Sequence, residues 1–185
     1  IKHPVEELKG FKRITDQYEY RKNKIHEELK NADIPFETID AVIGRGGLVK
    51  PIEAGVFRVN EEMRKDLLEC KRGEHASNLG GLIASDIARM LPTAEAFIAD
   101  PVVVDELDAL ARYTGHPLFE KVSVFHALNQ KAIARSHAKS IMKRYEDMNV
   151  IVVHLGGGIT GGAHCKGRVV DVNQGLDGDG PFSPE

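Results

Sequence analysis

The sequence predicts an α/β protein, because helical and strand-like patterns alternate along the chain. The helical patterns carry many charged residues, whereas the strand-like patterns are short apolar runs that end at glycine or aspartate. Between 150 and 172, three short β-rich runs are separated by glycine turns, which is typical of hairpins. The chain has 185 residues and is 42% hydrophobic, so it can build a core.

The first half of the chain alternates helices and strands. A charged helix is predicted over 11–30, and Pro35 follows its end. Asn60 is a favourable N-cap for a helix that begins at Glu61. The other predicted elements are strands over 39–43, 56–59 and 96–99 and helices over 61–70 and 79–90.

The second half begins with predicted helices and ends with predicted strands. Helices are predicted over 103–113 and 125–145, the second being the longest. The strands are predicted over 150–155, 159–164 and 168–172. Because two or three residues connect them, these strands must pair antiparallel.

Composition excludes several classes of protein. The net charge is −3 and basic residues are spread evenly, which argues against a nucleic-acid or membrane partner. No apolar run is as long as a membrane span, and the first residues lack a signal-peptide core. Cys70 and Cys165 match no disulfide or metal pattern, so we expect a cytoplasmic protein. The chain lacks an initial Met and ends in a loop, so we expect a fragment truncated at both ends.

The glycines at 156, 158 and 161 match the G-x-G-x-x-G pattern of dinucleotide sites, with Asp179 eighteen residues further on. That site requires a helix after the glycines, and residues 163–171 show no helical pattern. A Walker loop is excluded because no Gly-Lys-Ser/Thr is present. Two interpretations remain: a hairpin whose glycines only satisfy backbone angles, or one whose N–H groups bind phosphate.

Several segments together resemble the butyrate kinases, members of the acetate kinase family. They are 42–51, 73–81, 97–106, 125–131 and 154–158, and segments 171–173 and 177–185 fit as well. The resemblance covers essentially the whole chain and implies the actin-like, ribonuclease-H-like ATPase fold, with mixed sheets and flanking helices. It further implies that 1–101 is an N-terminal actin-like domain without its first strands. Residues 102–185 would then begin the C-terminal nucleotide-binding domain.

The resemblance also implies a reaction. It implies a reversible short-chain carboxylate kinase that transfers the γ-phosphoryl group of ATP to butanoate, giving butanoyl phosphate and ADP, as in fermentation. ATP and Mg²⁺ are the expected cofactors, and the full-length protein is expected to be a homodimer or larger. The first phosphate loop, a second substrate arginine and the Mg²⁺ ligand are expected outside these residues, so the chain alone is not expected to catalyse. The alternatives are a kinase for acetate, propionate or isobutyrate, or a non-catalytic nucleotide-binding relative.

Three residues are implied to be catalytic. The planar guanidinium of Arg45 suits a carboxylate or phosphate. His126 is implied to stabilise the transferring phosphoryl group, where a fixed donor acts on developing charge. Because a carboxylate nucleophile is already ionised at pH 7, we expect Asp100 to position Arg45 or a Mg²⁺-bound water rather than act as a base.

The remaining site residues are implied to bind substrates. The substrate side comprises Arg45, Gly46, Gly47 and His75, and the ATP phosphate side comprises His154, Leu155, Gly156, Gly157 and Gly158. Asp171 is a weaker candidate near the nucleotide. Acetate kinases have branched apolar residues where this chain has Gly46 and Gly47, so we expect room for a longer acyl chain, and Gly47→Val should favour acetate. They usually carry Asn where this chain has Gly157, which leaves backbone N–H groups as donors here.

Overall fold

The computed structural model describes residues 1–176 and residue 178. It divides into two compact units, the first formed by Ile1–Val49 and Val56–Ala99 and the second by Lys50–Gly55 and Asp100–Glu185. The segment 50–55 therefore groups with the second unit rather than with the preceding residues. The reason is backbone pairing: Ile52 N–H donates to the carbonyl of Val103 at 3.4 Å, and Asp105 N–H donates to that of Ile52 at 2.9 Å.

The first unit has a mixed three-stranded sheet with helices. Its elements are α1 (Val5–Leu8), α2 (Tyr18–Asn31), β1 (Ala41–Arg45), β2 (Val56–Arg58), α3 (Glu61–Leu68), α4 (Asn78–Arg89) and β3 (Glu95–Ala99), with 3-10 turns at Thr15–Gln17 and Phe36–Thr38. The strand order is β1-β3-β2, with β1 parallel and β2 antiparallel to β3. Small residues let α4 pack against the sheet. Ala84 and Ala88 of α4 are buried in one cluster with Ala96 of β3.

Local side-chain bonds explain where the helices of the first unit begin. The predicted cap is confirmed, because the side-chain oxygen of Asn60 accepts from Met63 N–H at 2.8 Å. The helix predicted over 11–30 begins only at Tyr18. The side chain of Asp16 accepts from Arg13 N–H at 3.0 Å, which stabilises a turn ahead of the helix.

Two glycines let α4 lie directly on β1. A Cβ atom added to Gly44 would collide with the carbonyl oxygen of Gly80, and one added to Gly80 would collide with that of Arg45. Only glycine allows the helix and strand backbones to approach this closely. The first turn of α4 is thereby held against the carboxyl end of β1.

The second unit contains the predicted antiparallel meander. Its elements are α5 (Ala127–Ser140), β4 (Asn149–Leu155), β5 (Ile159–Cys165) and β6 (Arg168–Val172), with 3-10 turns at Ala109–Arg112 and Tyr145–Asp147. The strand order is β4-β5-β6 and both pairs are antiparallel. One core cluster gathers Val104, Leu107, Phe125, Ala127, Val169 and Val172, and a second gathers Ala134, Ala138 and Tyr145.

Two helix predictions in the second unit are wrong, because one helix does not form and the other is shorter than predicted. Over 103–113 only a 3-10 turn forms, because Val104 pairs with Ile52 in a parallel bridge. The side chain of Asp105 also holds the chain out of a helix, accepting from Leu107 N–H and from both terminal nitrogens of Arg112. The helix predicted over 125–145 ends at Ser140, and the chain then turns at Met142, whose φ is 55°.

Within the described residues, no helix combines the length and the apolar character needed to cross a membrane. Cys70 and Cys165 are free thiols.

Candidate functional site

The predicted site residues fall into two groups, one in each unit. In the first unit, Arg45 is the last residue of β1, and its side chain is exposed. Among residues 1–176, no carboxylate forms an ion pair with it. An exposed guanidinium at a strand end, with no carboxylate paired to it in the described part of the chain, suits a carboxylate or phosphate ligand.

The loop that follows Arg45 is buried and fastened by one amide. Gly46, Gly47 and Leu48 are buried, and Leu48 N–H donates to the side-chain oxygen of Asn78 at 2.9 Å. The amide nitrogen of Asn78 donates to the carbonyl of Gly73 at 3.0 Å. Asn78 was not predicted as a site residue. No local pattern signals this role, because the partner at Leu48 lies thirty residues earlier in the chain.

The space beside Gly47 is filled by the protein itself. A Cβ atom at this position would lie 2.6 Å from the Cα and 2.8 Å from the N of Asn78. The expectation that Gly47 opens room for a longer acyl chain is therefore corrected, because helix backbone occupies that room. Gly47→Val would disturb the packing before it changed acyl preference.

His75 is half-buried in the same unit. Ser77 N–H donates to its Nδ1 at 3.2 Å, and the Ser77 hydroxyl lies 2.7 Å from the same nitrogen. Burial lowers the pKa of His75 below its ordinary value, and the positive charge of Arg45 lowers it further. His75 is therefore neutral at pH 7, with Nδ1 as acceptor and its proton on Nε2.

Asp100 is buried in the second unit with a left-handed backbone, its φ being 34°. One carboxylate oxygen accepts from Gly55 N–H at 2.8 Å, and the other forms an ion pair with Arg135 at 3.1 Å. Both oxygens thus have partners in the second unit. Arg135 was not predicted as a site residue, and nothing in the spacing of the sequence links it to Asp100.

His126 and His154 come together in the second unit. Their rings stack with centroids 3.8 Å apart and an interplanar angle of 9°. Nδ1 of His154 lies 3.0 Å from the side-chain oxygen of Asn129. The edge of the His126 ring faces Gly158, where an added Cβ would lie 3.4 Å from Cε1 and 3.8 Å from Nε2. Two predicted site histidines, one preceding α5 and one in β4, therefore adjoin the glycine turn.

The glycine turn is a hairpin tip between β4 and β5. Gly156 N–H donates to the carbonyl of Gly158 at 3.2 Å. A Cβ on Gly157 would meet nothing within 4 Å, whereas one on Gly156 would collide with Nε2 of His154. Gly161 lies inside β5, opposite Val153. A strand follows the glycines, so the dinucleotide interpretation stays rejected; Asp177 and Asp179 lie outside the described residues.

A buried chain of polar side chains lies behind His126. The Thr160 hydroxyl is 2.9 Å from Nδ1 of His126 and 2.9 Å from the amide nitrogen of Gln130. The Gln130 oxygen is 3.1 Å from Nε2 of His164, whose Nδ1 is 2.7 Å from the Tyr145 hydroxyl. Sequence reasoning missed all four residues behind His126. Only Gln130 had a signal, because it lies four residues after His126 and so on the same helix face.

A buried ion pair acts on His164, one of these polar side chains. Lys131 is 1% exposed and pairs with Glu106 at 2.8 Å, while also donating to the carbonyl of Gly167 at 3.0 Å. Glu106 also accepts from Val169 N–H at 2.8 Å and from Ala54 N–H at 3.4 Å. Burial, and then the charge of Lys131, lowers the pKa of His164 to about 4. His164 is therefore neutral at pH 7.

Within the described residues, no group of three or more His, Cys, Asp and Glu side chains could hold a metal ion. Asp171, the weaker nucleotide candidate, pairs with Lys121 at 2.8 Å. Magnesium at nucleotide sites is commonly held by one or two carboxylates together with phosphates. The described residues supply no dedicated cage for Mg²⁺.

No family profile matches the chain. By sequence it is 56% identical over 185 residues to a probable butyrate kinase of Bacteroides thetaiotaomicron, covering 100% of this chain and 52% of the relative. It is 57% identical over 183 residues to a probable butyrate kinase of Phocaeicola vulgatus, covering 99% of this chain and 51% of the relative. The chain is a homologue of the butyrate kinases. It spans about half the length of these curated relatives.

Solved structures agree on the fold. A Porphyromonas gingivalis acetate kinase matches with a TM-score of 0.65 and 19% identity, over 87% of this chain and 42% of that one. A Francisella tularensis propionate kinase matches with a TM-score of 0.61 and 19% identity, over 83% and 41% of the two chains. The α/β chain thus has the fold of these kinases, the actin-like ATPase fold, as its butyrate kinase resemblance predicted.

Proposed function

We propose that the full-length protein, meaning this chain within a polypeptide of its relatives' length, is a short-chain carboxylate kinase. It transfers the γ-phosphoryl group of ATP to butanoate, giving butanoyl phosphate and ADP, and the reaction is reversible. The names of the butyrate kinase relatives support the substrate class. The observation that carries the proposal is the stack of His126 on His154 beside the glycine hairpin.

The glycine hairpin is the proposed site for the ATP phosphates. Gly157 has open space around it, so an anion can approach the backbone N–H groups there without a side chain in the way. His154 lies under the tip and is oriented by Asn129 and by the His126 ring. This arrangement presents fixed donors to the phosphates without any Walker lysine.

His126 is the proposed donor to the transferring phosphoryl group. A carboxylate oxygen of the acid attacks the γ-phosphorus as the bond from that phosphorus to the β-bridging oxygen breaks, and ADP leaves. Charge on the equatorial oxygens must be matched throughout, and a preorganised N–H donor does this in the transition state. The attacking carboxylate is already ionised at pH 7, so no general base is required.

In the first unit, Arg45 is proposed to bind the carboxylate of the acid or the phosphoryl group. Its exposed guanidinium offers paired N–H donors to two oxygens. His75 is proposed as a supporting neutral donor through Nε2, because Ser77 occupies its Nδ1. Asp100 is proposed to be a positioning residue that fixes Gly55 and Arg135. Mg²⁺ dependence, a cytoplasmic location and a homodimeric or larger assembly complete the proposal.

The test is acyl phosphate formation by the full-length protein, measured by hydroxylamine trapping with ATP and a series of acids. We expect the highest kcat/KM for butanoate among acetate, propionate, butanoate and isobutyrate. The 185-residue chain alone should form no acyl hydroxamate. A full-length protein that binds ATP and turns over none of the four acids would reject the proposal.

Two matched pairs of variants locate the chemistry. His126→Ala should lower kcat by about 100-fold, which is the usual loss of one transition-state donor. His137→Ala, on the exposed face of the same helix α5, should leave kcat unchanged. Arg45→Gln should raise the KM for the acid, whereas Arg58→Gln, on an exposed arginine of β2, should not.

A further inference from the structure

The hydrogen bonds behind His126 have a determinable direction. The amide of Gln130 faces the main-chain carbonyl of Thr160 at 3.0 Å. A carbonyl can only accept, so the NH₂ side of the amide must point at Thr160 and the oxygen side at His164. This removes the usual ambiguity between the two ends of a glutamine amide.

The proton positions on His164 follow. Its Nε2 lies 3.1 Å from the Gln130 oxygen, which can only accept, so Nε2 carries the hydrogen. His164 is 2% exposed and neutral at pH 7, so its Nδ1 is an acceptor. The Tyr145 hydroxyl, 2.7 Å away, therefore donates to it.

The same reasoning applies at Thr160. Its hydroxyl oxygen has two lone pairs. One receives the N–H of Gln130 at 2.9 Å, and the other receives the main-chain N–H of His126 at 3.4 Å. The hydroxyl hydrogen is then directed to Nδ1 of His126 at 2.9 Å.

We infer that Thr160 and Gln130 are positioning residues that hold the proton of His126 on Nε2. The Cε1–Nε2 edge of the ring faces the glycine tip, with 3.4 Å from Cε1 and 3.8 Å from Nε2 to a Cβ built on Gly158. Stacking on His154 fixes the plane of the same ring. His126 thus presents an N–H donor on the side of the ring that faces the tip. This inference rests on the proposed function for its catalytic meaning, but the position of the proton does not.

Burial of these polar side chains favours this direction of their hydrogen bonds. Thr160 and Gln130 are both fully buried, so water does not replace a lost partner at either side chain. Protonating Nδ1 of His126 would place an N–H against an oxygen whose lone pairs are already taken. The same contact disfavours the alternative tautomer.

The first test is spectroscopic and needs no substrate. In the full-length protein labelled with ¹⁵N-histidine, correlation spectra should show His126 with an unprotonated Nδ1 and a protonated Nε2. The signal is assigned by its absence from His126→Gln. A protonated Nδ1 in the wild-type protein overturns the inference whatever the kinase activity is.

The second test separates the hydroxyl from the packing. Thr160→Val should lose the single-tautomer signature and lower kcat about tenfold, with the KM values for ATP and butanoate changed less than about threefold. Thr160→Ser, which keeps the hydroxyl, should retain the signature and stay within about threefold of wild-type kcat. Wild-type spectra and kcat in Thr160→Val, or equal losses in both variants, contradict the inference.

Should Thr160→Val fail to fold, as judged by circular dichroism, the wild-type spectrum and Thr160→Ser still decide the matter. A wild-type protein with the Nε2–H tautomer and no kinase activity supports the positioning chain and rejects the proposed function. The two ideas therefore fail separately.

Discussion

Two glycine-rich segments of this chain look alike in sequence, but their glycines have different physical roles. After β1, Gly46 and Gly47 are buried, and the helix backbone at Asn78 fills the space where a side chain at Gly47 would begin. After β4, Gly157 lies at an exposed tip with nothing within 4 Å of its missing side chain. The first segment needs glycine for packing, while the second leaves its backbone open to a ligand. A run of glycines therefore indicates close approach, but whether by the protein's own backbone or by an anion depends on what surrounds it.

The largest expected effect tests the packed glycine. Gly47→Ala should reduce the free energy of unfolding by about 3 kcal/mol, because its Cβ meets main-chain atoms of α4 that cannot rotate away. Gly157→Ala is the matched control and should change it by less than about 0.5 kcal/mol. Urea unfolding of the full-length variants measures both. Equal costs at the two positions would show that the two segments do not differ in the way described.

The sequence predicted the hairpin well because its signal is local. Strands at 150–155, 159–164 and 168–172 with short glycine turns leave antiparallel pairing as the only geometry. The Asn60 cap was also predicted, since capping depends on neighbouring residues. By contrast, the helix expected over 103–113 does not form, because Ile52, about fifty residues away, recruits Val104 into a bridge. Periodicity within a window carries no information about such a partner.

Residues of the candidate site could be predicted only within the segments that resemble the butyrate kinases. His126, His154 and the glycines were identified from segments, and the structure places them together within the second unit. Asn78 and Thr160 were missed because each acts through contacts some thirty residues distant in the chain. The acyl-room hypothesis at Gly47 was wrong for the same reason: the occupant of the space belongs to α4. Spacing shows which residues are present, but packing decides what each one faces.

The next largest expected effect is a difference between the two regions in how acidic pH lowers stability. The loop after β1 is held by the Asn78 amide, which does not titrate, whereas the hairpin region rests on neutral His164. Its pKa of about 4 in the folded protein lies below the ordinary 6.5, so the unfolded state binds more protons between these values. Stability is therefore complete above pH 6.5 and falls as the pH drops toward 4. At pH 5 the loss from this residue should be on the order of 2 kcal/mol.

The measurement compares wild type with His164→Gln in denaturant at pH 7 and pH 5. The variant should be less stable at pH 7, because it loses the bond to Tyr145, but its stability should fall less between the two pH values. His75, whose pKa is also lowered, contributes in the same direction in both proteins and cancels in the difference. An identical pH dependence in the two proteins would contradict the assignment of the acid loss to His164.

The smallest expected effect lies inside the hairpin and compares neighbouring glycines. A Cβ on Gly156 would collide with Nε2 of His154, so Gly156→Ala should push that ring off His126, while Gly157→Ala adds a methyl group to open space. Because the His154 ring is the far end of a side chain, the cost in stability should stay below about 1 kcal/mol. The kinase activity should respond more, with kcat lowered about tenfold in Gly156→Ala. Gly157→Ala should leave the ring stack intact and instead raise the KM for ATP, because its methyl group enters the space proposed for the phosphates. Steady-state assays on the full-length proteins give both values. If Gly156→Ala keeps wild-type kcat, the stacked histidines do not contribute to turnover. If Gly157→Ala also keeps the wild-type KM for ATP, the tip is a turn that only happens to be rich in glycine.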